Sequence, residues 1–129
     1  MRPEILVVDD DAPFRRAVLR MLAAANLPAE GMRTAREAIL AMEMHQARAV
    51  LLDVTLAEDD EYPDGCDAAL VIARRWPNTR VAIMTGWSFR DLPPGCDGFA
   101  LLMKPFSGAE LVNRVRDLLG RPLWHAEDG

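Results

Sequence analysis

Short apolar runs alternate with amphipathic stretches along most of this chain. A short, unbroken apolar run is typical of a buried strand, whereas apolar residues spaced three and four apart are typical of a helix packed on a core. We therefore predict strands at residues 5–8, 28–33, 49–54, 81–84 and 99–103. We predict helices at residues 12–25, 34–44 and 66–76, and a last helix that begins at 107 and ends near 119. This order of elements is that of an α/β protein.

The alternation also predicts how the strands run. A helix that connects two strands of one sheet returns the chain to the same end, so the strands are parallel and the crossovers right-handed. We predict a doubly wound, five-stranded parallel sheet with helices on both faces. After the fourth strand, Pro93 and Pro94 leave a fourth helix short, at most residues 88–92, or irregular. We expect one domain over residues 1–122 and a short C-terminal tail, 123–129.

Two capping boxes mark the starts of predicted helices. Thr34 is followed three residues later by Glu37, and Ser107 is followed in the same way by Glu110. In such a pair each side chain accepts a hydrogen bond from a backbone N–H that the helix itself leaves unpaired. Asp11 is a candidate cap for the first helix by the same logic.

Polar side chains follow four of the five predicted strands. They are Asp9, Asp10 and Asp11 after the first strand, Asp53 near the end of the third, Thr85 after the fourth and Lys104 after the fifth. The carboxyl ends of parallel strands meet at one edge of the sheet, and ligands bind there where the strand order reverses. The sequence therefore predicts that these side chains form one site.

The residue types indicate the chemistry of that site. Two carboxylates about 5 Å apart repel each other by about 3 kcal/mol at an effective dielectric constant near 20, and a hard divalent cation relieves this repulsion. Carboxylates with retained water favour Mg²⁺, and a carboxylate beside the metal can attack phosphorus. Lys104, the only lysine beside 14 arginines, supplies a compact ammonium for the phosphoryl charge. We therefore predict that one carboxylate of this site can accept a phosphoryl group.

Composition excludes several other classes of function. The formal net charge is −5 and no basic stripe is present, which argues against a nucleic-acid-binding surface. No apolar run is long enough for a membrane span and no signal peptide is evident, so we expect a cytoplasmic protein without membrane contact. Cys66 and Cys96 have neither metal-site spacing nor the pattern of a disulfide framework, and we interpret both as small buried apolar residues.

Four motifs resemble those of the receiver domain of two-component response regulators. They are Val7-Val8-Asp9-Asp10-Asp11, Leu51-Leu52-Asp53-Val54, Ile83-Met84-Thr85-Gly86 and Met103-Lys104-Pro105-Phe106. They occur in the family's order, and the resemblance covers residues 5–119. It implies the flavodoxin-like strand order 2-1-3-4-5, with the first and third strands side by side.

The resemblance also implies which residue accepts the phosphoryl group and which hold the metal. Asp53 would accept the group from the phosphohistidine of a sensor histidine kinase or of a phosphotransfer protein. Asp9, Asp10, Asp53 and the backbone carbonyl of Thr55 would hold Mg²⁺. The protein would then signal through altered contacts with a downstream protein.

Two further side chains complete the implied site. Thr85 and Lys104 would contact the phosphoryl oxygens, and the peptide bond before Pro105 would be cis. The chain departs from the family by an acidic insertion at residues 57–64 and by Leu101, which stands where an aromatic switch residue is usual. We therefore predict that the signal leaves through residues 87–97 or 57–64. A receiver-like interaction module that phosphorylation does not regulate is the alternative, and the complete set of site residues argues against it.

Overall fold

The computed structural model describes residues 3–55, 65–86, 92, 96 and 98–120. Nine elements follow one another in this part of the chain, and they match the predicted strands and helices within a few residues at each boundary. They are β1 Ile5–Val8, α1 Ala12–Ala24, β2 Ala29–Met32, α2 Ala35–Met44, β3 Ala49–Asp53, α3 Gly65–Arg75, β4 Arg80–Thr85, β5 Ala100–Met103 and α4 Gly108–Leu118.

The five strands form one parallel sheet in the order β2-β1-β3-β4-β5. The predicted fold class and strand order are confirmed. The chain moves outward from β1 to one edge and then from β3 to the other, so the strand order reverses between these neighbours. Asp53 lies beside Met84 in the register of β3 and β4, and Thr85 lies beside Met103 in that of β4 and β5.

Each face of the sheet packs against two helices, which explains the unbroken apolar runs. Alternate strand residues point to opposite faces, so a strand covered on both sides must be apolar at every position. Leu6, Val8, Val50, Leu52 and Ile83 pack with α2 and α3 on one face. Ile5, Val7, Leu51, Ala82 and Met84 pack with α1 and α4 on the other. Burial of each large apolar side chain stabilises the fold by about 1.5–3 kcal/mol relative to its exposure.

The predicted helix caps are present. The Thr34 hydroxyl accepts from the Glu37 N–H at 3.1 Å, and the Glu37 carboxylate accepts from the Thr34 N–H at 3.3 Å. Ser107 and Glu110 make the same reciprocal pair at the start of α4. Asp11 caps α1 by accepting from the Phe14 N–H at 3.1 Å. Three local sequence patterns therefore determine where three of the helices begin.

The interpretation of the two cysteines was wrong in one respect. Both are buried as expected, at 0% and 2% exposure, but Cys66 and Cys96 form a disulfide with their Cα atoms 5.2 Å apart. Thirty positions separate them in the sequence. The first turn of α3 and the segment before β5 meet in the folded protein, and this proximity is a tertiary feature that cysteine spacing does not reveal.

Several predictions lie outside the described residues. They are the acidic insertion at 57–64, the short helix at 88–92 apart from Leu92, and the tail with its boundary at 122. Among the described helices, none has the length and apolarity that crossing a membrane requires.

Candidate functional site

Three carboxylates meet at the carboxyl edge of the sheet, where β1 and β3 lie side by side. Asp9 and Asp10 follow β1, and Asp53 is the last residue of β3. One oxygen from each of the three lies within 4.8 Å of the others. Asp9 is fully buried and Asp53 is 4% exposed. The structure thus brings together the three acidic residues that the sequence placed at these strand ends, and three such oxygens could hold a metal ion.

Lys104 brings one positive charge to this acidic group. It follows β5, and its Nζ lies 3.2 Å from Asp9 Oδ2 and 3.4 Å from Asp53 Oδ1. Its backbone N–H donates to the Thr85 carbonyl at 2.7 Å, which extends the pairing of β4 and β5 by one residue. The Lys104–Pro105 peptide bond is cis, as expected.

Thr85 and Thr55 lie at the same edge of the sheet as Asp53. Thr85 is fully buried at the end of β4. Thr55 lies on the exposed side, and its hydroxyl donates to Asp53 Oδ2 at 3.1 Å while its N–H lies 3.4 Å from Asp53 Oδ1. Sequence reasoning considered only the backbone carbonyl of Thr55. The signal for the side chain was a hydroxyl two residues after a strand-end aspartate, a spacing that allows a local hydrogen bond.

Burial dominates the electrostatics of Asp9. It raises the pKa of the Asp9 carboxyl above its ordinary value, and the nearby Asp53 charge raises it further. The Asp11 N–H, which donates to Asp9 Oδ1 at 2.9 Å, and the Lys104 ammonium act in the opposite direction without cancelling the effect of burial. The ionised form of Asp9 therefore lacks full compensation from the protein, and a bound cation would supply it.

Two further contacts fix the backbone of the residues that carry the carboxylates, and sequence reasoning missed both. Arg15 Nη1 donates to the Asp9 carbonyl at 2.6 Å, so α1 braces the turn after β1. Gly65 lies directly against β3, because a Cβ there would approach the carbonyl oxygen of Asp53 far within van der Waals contact. The Gly65 N–H donates to the Val54 carbonyl at 2.9 Å. Only a residue without a side chain lets α3 begin at this point.

Comparison with known proteins gives the family. The family model described as the response regulator receiver domain matches residues 5–116. The chain belongs to this family. Receiver domains of this family act in two-component phosphorelay signalling, where they interact with histidine kinases or phosphotransfer proteins and with downstream effectors.

Solved receiver domains share the fold. The receiver domain of NtrX from Brucella abortus is 23% identical, with a TM-score of 0.82 over 92% of this chain and 99% of that one. A signal receiver domain of an HD domain-containing protein from Pseudomonas fluorescens Pf-5 is 22% identical, with a TM-score of 0.80 over 94% and 97% of the two chains. A CheY-like receiver protein from Methanospirillum hungatei JF-1 is 22% identical, with a TM-score of 0.78 and full coverage of both. No curated protein sequence matches this chain significantly.

Leu101 stands where an aromatic switch residue was expected for a receiver domain. It lies in β5 with its side chain half-buried against the α2 and α3 face of the sheet. Leu101 therefore contributes to the apolar core, and a leucine cannot offer the aromatic ring that we expected the family to have here.

Proposed function

We propose that this receiver domain accepts a phosphoryl group on Asp53 from the phosphohistidine of a sensor histidine kinase or phosphotransfer protein in the cytoplasm. The observation that carries the proposal is the surroundings of the Asp53 carboxylate. It shares a 4.8 Å cluster with Asp9 and Asp10, and its Oδ1 lies 3.4 Å from the Lys104 ammonium. An acceptor oxygen, a set of hard oxygen ligands and a cation thus stand at one point.

The donor set fits Mg²⁺. Asp9, Asp10, Asp53 and the Thr55 carbonyl would hold the ion, because Mg²⁺ prefers a few carboxylate and carbonyl oxygens and retains water at its other positions. The raised pKa of Asp9 supports the fit, since the protein alone undercompensates this carboxylate. When bound, the ion would neutralise charge on the phosphoryl oxygens.

The reaction itself uses groups of this chain. A carboxylate oxygen of Asp53 forms a bond to phosphorus while the bond from phosphorus to the donor imidazole nitrogen breaks. A proton taken up from solvent on the other ring nitrogen lets the imidazole leave as a neutral base. The ammonium of Lys104 and the hydroxyl of Thr85 stabilise the negative charge on the equatorial oxygens. The Thr55 hydroxyl orients the acceptor through its bond to Asp53 Oδ2.

The phosphoryl group alters the charge of a nearly buried position. The phosphoryl group carries about 1.5 to 2 negative charges near neutral pH and replaces the single charge of the Asp53 carboxylate, so Lys104 must then rearrange its contacts with Asp9 and Asp53. The changed surface at this edge of the sheet would signal to a downstream protein. The alternative, an interaction module that phosphorylation does not regulate, is disfavoured because the chain retains the whole set of side chains that the transfer needs.

Intact-mass measurement after incubation with Mg²⁺ and acetyl phosphate tests the proposal. We expect the wild-type protein to gain one phosphoryl group and the Asp53→Asn variant to gain none. Asp117→Asn, on the exposed surface of α4, is the matched control and should be phosphorylated like the wild type. A mass gain that persists in Asp53→Asn would contradict the assignment of the acceptor.

A further inference from the structure

Lys104 has a third neighbour that is not a carboxylate. Its Nζ lies 4.3 Å from the centroid of the Phe14 ring, over the ring face. The face of an aromatic ring carries partial negative charge, so it attracts an ammonium at this distance. The Lys104 side chain is 25% exposed, so the ring shields the ammonium from water only in part.

Phe14 is itself held in place by two contacts. The backbone N–H of Phe14 donates to Asp11 Oδ1 in the first turn of α1, at 3.1 Å. Its ring meets the Phe106 ring edge to face, with centroids 5.7 Å apart and planes at 68°. Phe106 lies two residues after Lys104, so the two rings join the start of α1 to the turn that carries the lysine. Phe14 thus has a defined orientation in which its face is directed to Nζ.

The carboxylate contacts of Lys104 differ from the ring contact in what the reaction does to them. Asp53 becomes esterified by phosphate and Asp9 is a proposed metal ligand, so both ion pairs must change during the transfer. The ring of Phe14 takes no part in bond making or metal binding. It is therefore the one of these three partners that can stay with the ammonium throughout.

We infer that Phe14 is a positioning residue that holds the Lys104 ammonium at the rim of the site for the incoming phosphoryl group. The ring restricts the flexible lysine stem, so less freedom is lost when Nζ meets the phosphoryl oxygens. The consequence for phosphoryl transfer rests on the function proposed above. The contact itself does not.

The single lysine of this chain makes the contact measurable by NMR. With ¹³C- and ¹⁵N-labelled lysine, one side-chain spin system reports on Lys104 alone. Protons over an aromatic face are shielded, so we expect its Hε signals to lie upfield of those of free lysine. Phe14→Leu should abolish this shift and Phe14→Tyr should retain it. Unshifted signals in the wild type, or a shift that survives in Phe14→Leu, would overturn the inference whether or not the protein is phosphorylated.

Phosphorylation kinetics test the consequence. With acetyl phosphate and saturating Mg²⁺, we expect Phe14→Leu to slow phosphorylation about threefold to tenfold, the range of a partly shielded cation–π contact. Phe14→Tyr should restore the rate, and the Mg²⁺ dissociation constant should be the same in all three proteins, because the ring contacts no proposed metal ligand. Leu19→Ala removes apolar volume from the same helix and controls for a general loss of packing.

The two measurements separate the possible failures. A slower rate in Leu19→Ala equal to that in Phe14→Leu, or no recovery in Phe14→Tyr, would reduce Phe14 to a packing residue and contradict the inference. If no variant is phosphorylated, the proposed function fails, and the NMR comparison still decides whether Phe14 positions the lysine.

Discussion

The two ends of the sheet differ in how their charged side chains are buried and paired. At the amino end, Glu4 and Arg48 pair at 3.6 Å with their side chains 33% and 52% exposed, and Arg48 also donates to the Leu119 carbonyl at 3.0 Å. The one buried polar side chain described there, Thr79, donates to the Ala47 carbonyl at 2.7 Å. At the carboxyl end, three carboxylates lie together, and the two buried ones, Asp9 and Asp53, pair with the Lys104 ammonium.

The difference separates what stabilises the fold from what serves the site. Exposed pairs such as Glu4 with Arg48 contribute little, about 0–1 kcal/mol, but they carry no penalty either. Buried like charges oppose folding unless something compensates them, and one lysine does not balance three carboxylates. The carboxyl end is therefore stabilised by other features.

The largest effect is expected from the disulfide. Cys66 and Cys96 join the start of α3 to the segment before β5 across a sequence separation of 30. A closed loop of this length restricts the unfolded chain enough to stabilise the fold by roughly 2–4 kcal/mol. We expect a reductant to lower the free energy of unfolding by that amount in urea titrations. Thr79→Val, which removes a hydrogen bond at the amino end, should cost only about 1 kcal/mol.

Thiol titration provides the control for this experiment. The oxidised protein should show no reactive thiol when unfolded, and the reduced protein should show two. A Cys96→Ala variant should have the stability of the reduced protein and should not respond to reductant. Equal urea midpoints with and without reductant would show that the disulfide does not stabilise the fold.

The second effect concerns the close approach of α3 to the end of β3. Gly65→Ala would push a methyl group into the Asp53 carbonyl, and the backbone atoms there cannot move aside as a flexible side chain could. We expect a loss of roughly 1–3 kcal/mol, as for overpacking in a core. Gly86→Ala is the matched control, because a Cβ there meets no atom within 4 Å, and it should change stability by less than about 0.5 kcal/mol.

Phosphorylation rates provide a second measurement on the two glycine variants. Displacement of the Asp53 backbone should slow transfer from acetyl phosphate in Gly65→Ala, since small errors of position cost rate. Gly86→Ala should keep its fold, which thermal unfolding and circular dichroism would verify. A Gly65→Ala variant as stable and as active as wild type would show that α3 can shift freely away from the site.

The third effect is the response to Mg²⁺, which should depend on carboxylates at the carboxyl end of the sheet and not on those at the amino end. At ten times its dissociation constant the ion should add about 1.4 kcal/mol by binding the folded protein alone. This corresponds to a rise of roughly 3–6 °C in Tm. Asp10→Asn should raise Tm in the absence of metal, because one repelling charge is removed, and should lose most of the Mg²⁺ response.

Glu4→Gln is the control at the other end of the sheet. It removes one acidic charge as Asp10→Asn does, but it lies before β1 and should keep the full Mg²⁺ response. Scanning fluorimetry with and without the ion gives both values. An undiminished response in Asp10→Asn would place the metal away from the Asp9, Asp10 and Asp53 cluster.

The elements of the fold and the strand-end residues could be predicted because both depend on local patterns. Apolar runs predicted the strands, the capping boxes at Thr34 and Ser107 marked helix starts, and parallel strands must deliver their terminal residues to one edge. The assignment of Asp53 as acceptor also used the resemblance to receiver domains. Its catalytic role stays a prediction until phosphorylation is measured.

The features that the sequence did not reveal are contacts between distant segments. Cys66 meets Cys96, Gly65 meets the Asp53 carbonyl, and Phe14 meets Lys104, and no residue pattern encodes these distances. Each depends on where the start of a helix packs against a segment distant in the sequence. Apolar periodicity determines which face of a helix is buried but leaves its shift along the strand open by a residue or two.

The smallest effect is expected from the pH dependence of Asp9, without metal. Burial raises the pKa of Asp9 in the folded protein above the value of 3.8 that an unperturbed carboxyl has. As pH rises from that value through the raised pKa, the unfolded chain releases its proton first, so the folded protein loses stability over this window.

Asp9→Asn cannot titrate, and its oxygen can still accept from the Asp11 N–H. Asp9→Asn should therefore be more stable than wild type at neutral pH in EDTA, by less than the Mg²⁺ response, although it loses the ion pair with Lys104. Urea titrations across the acidic range should show this advantage shrinking as pH falls toward 4, whereas Asp117→Asn should run parallel to wild type. An advantage that grows on acidification would mean that the ion pair with Lys104, and not burial, dominates at Asp9.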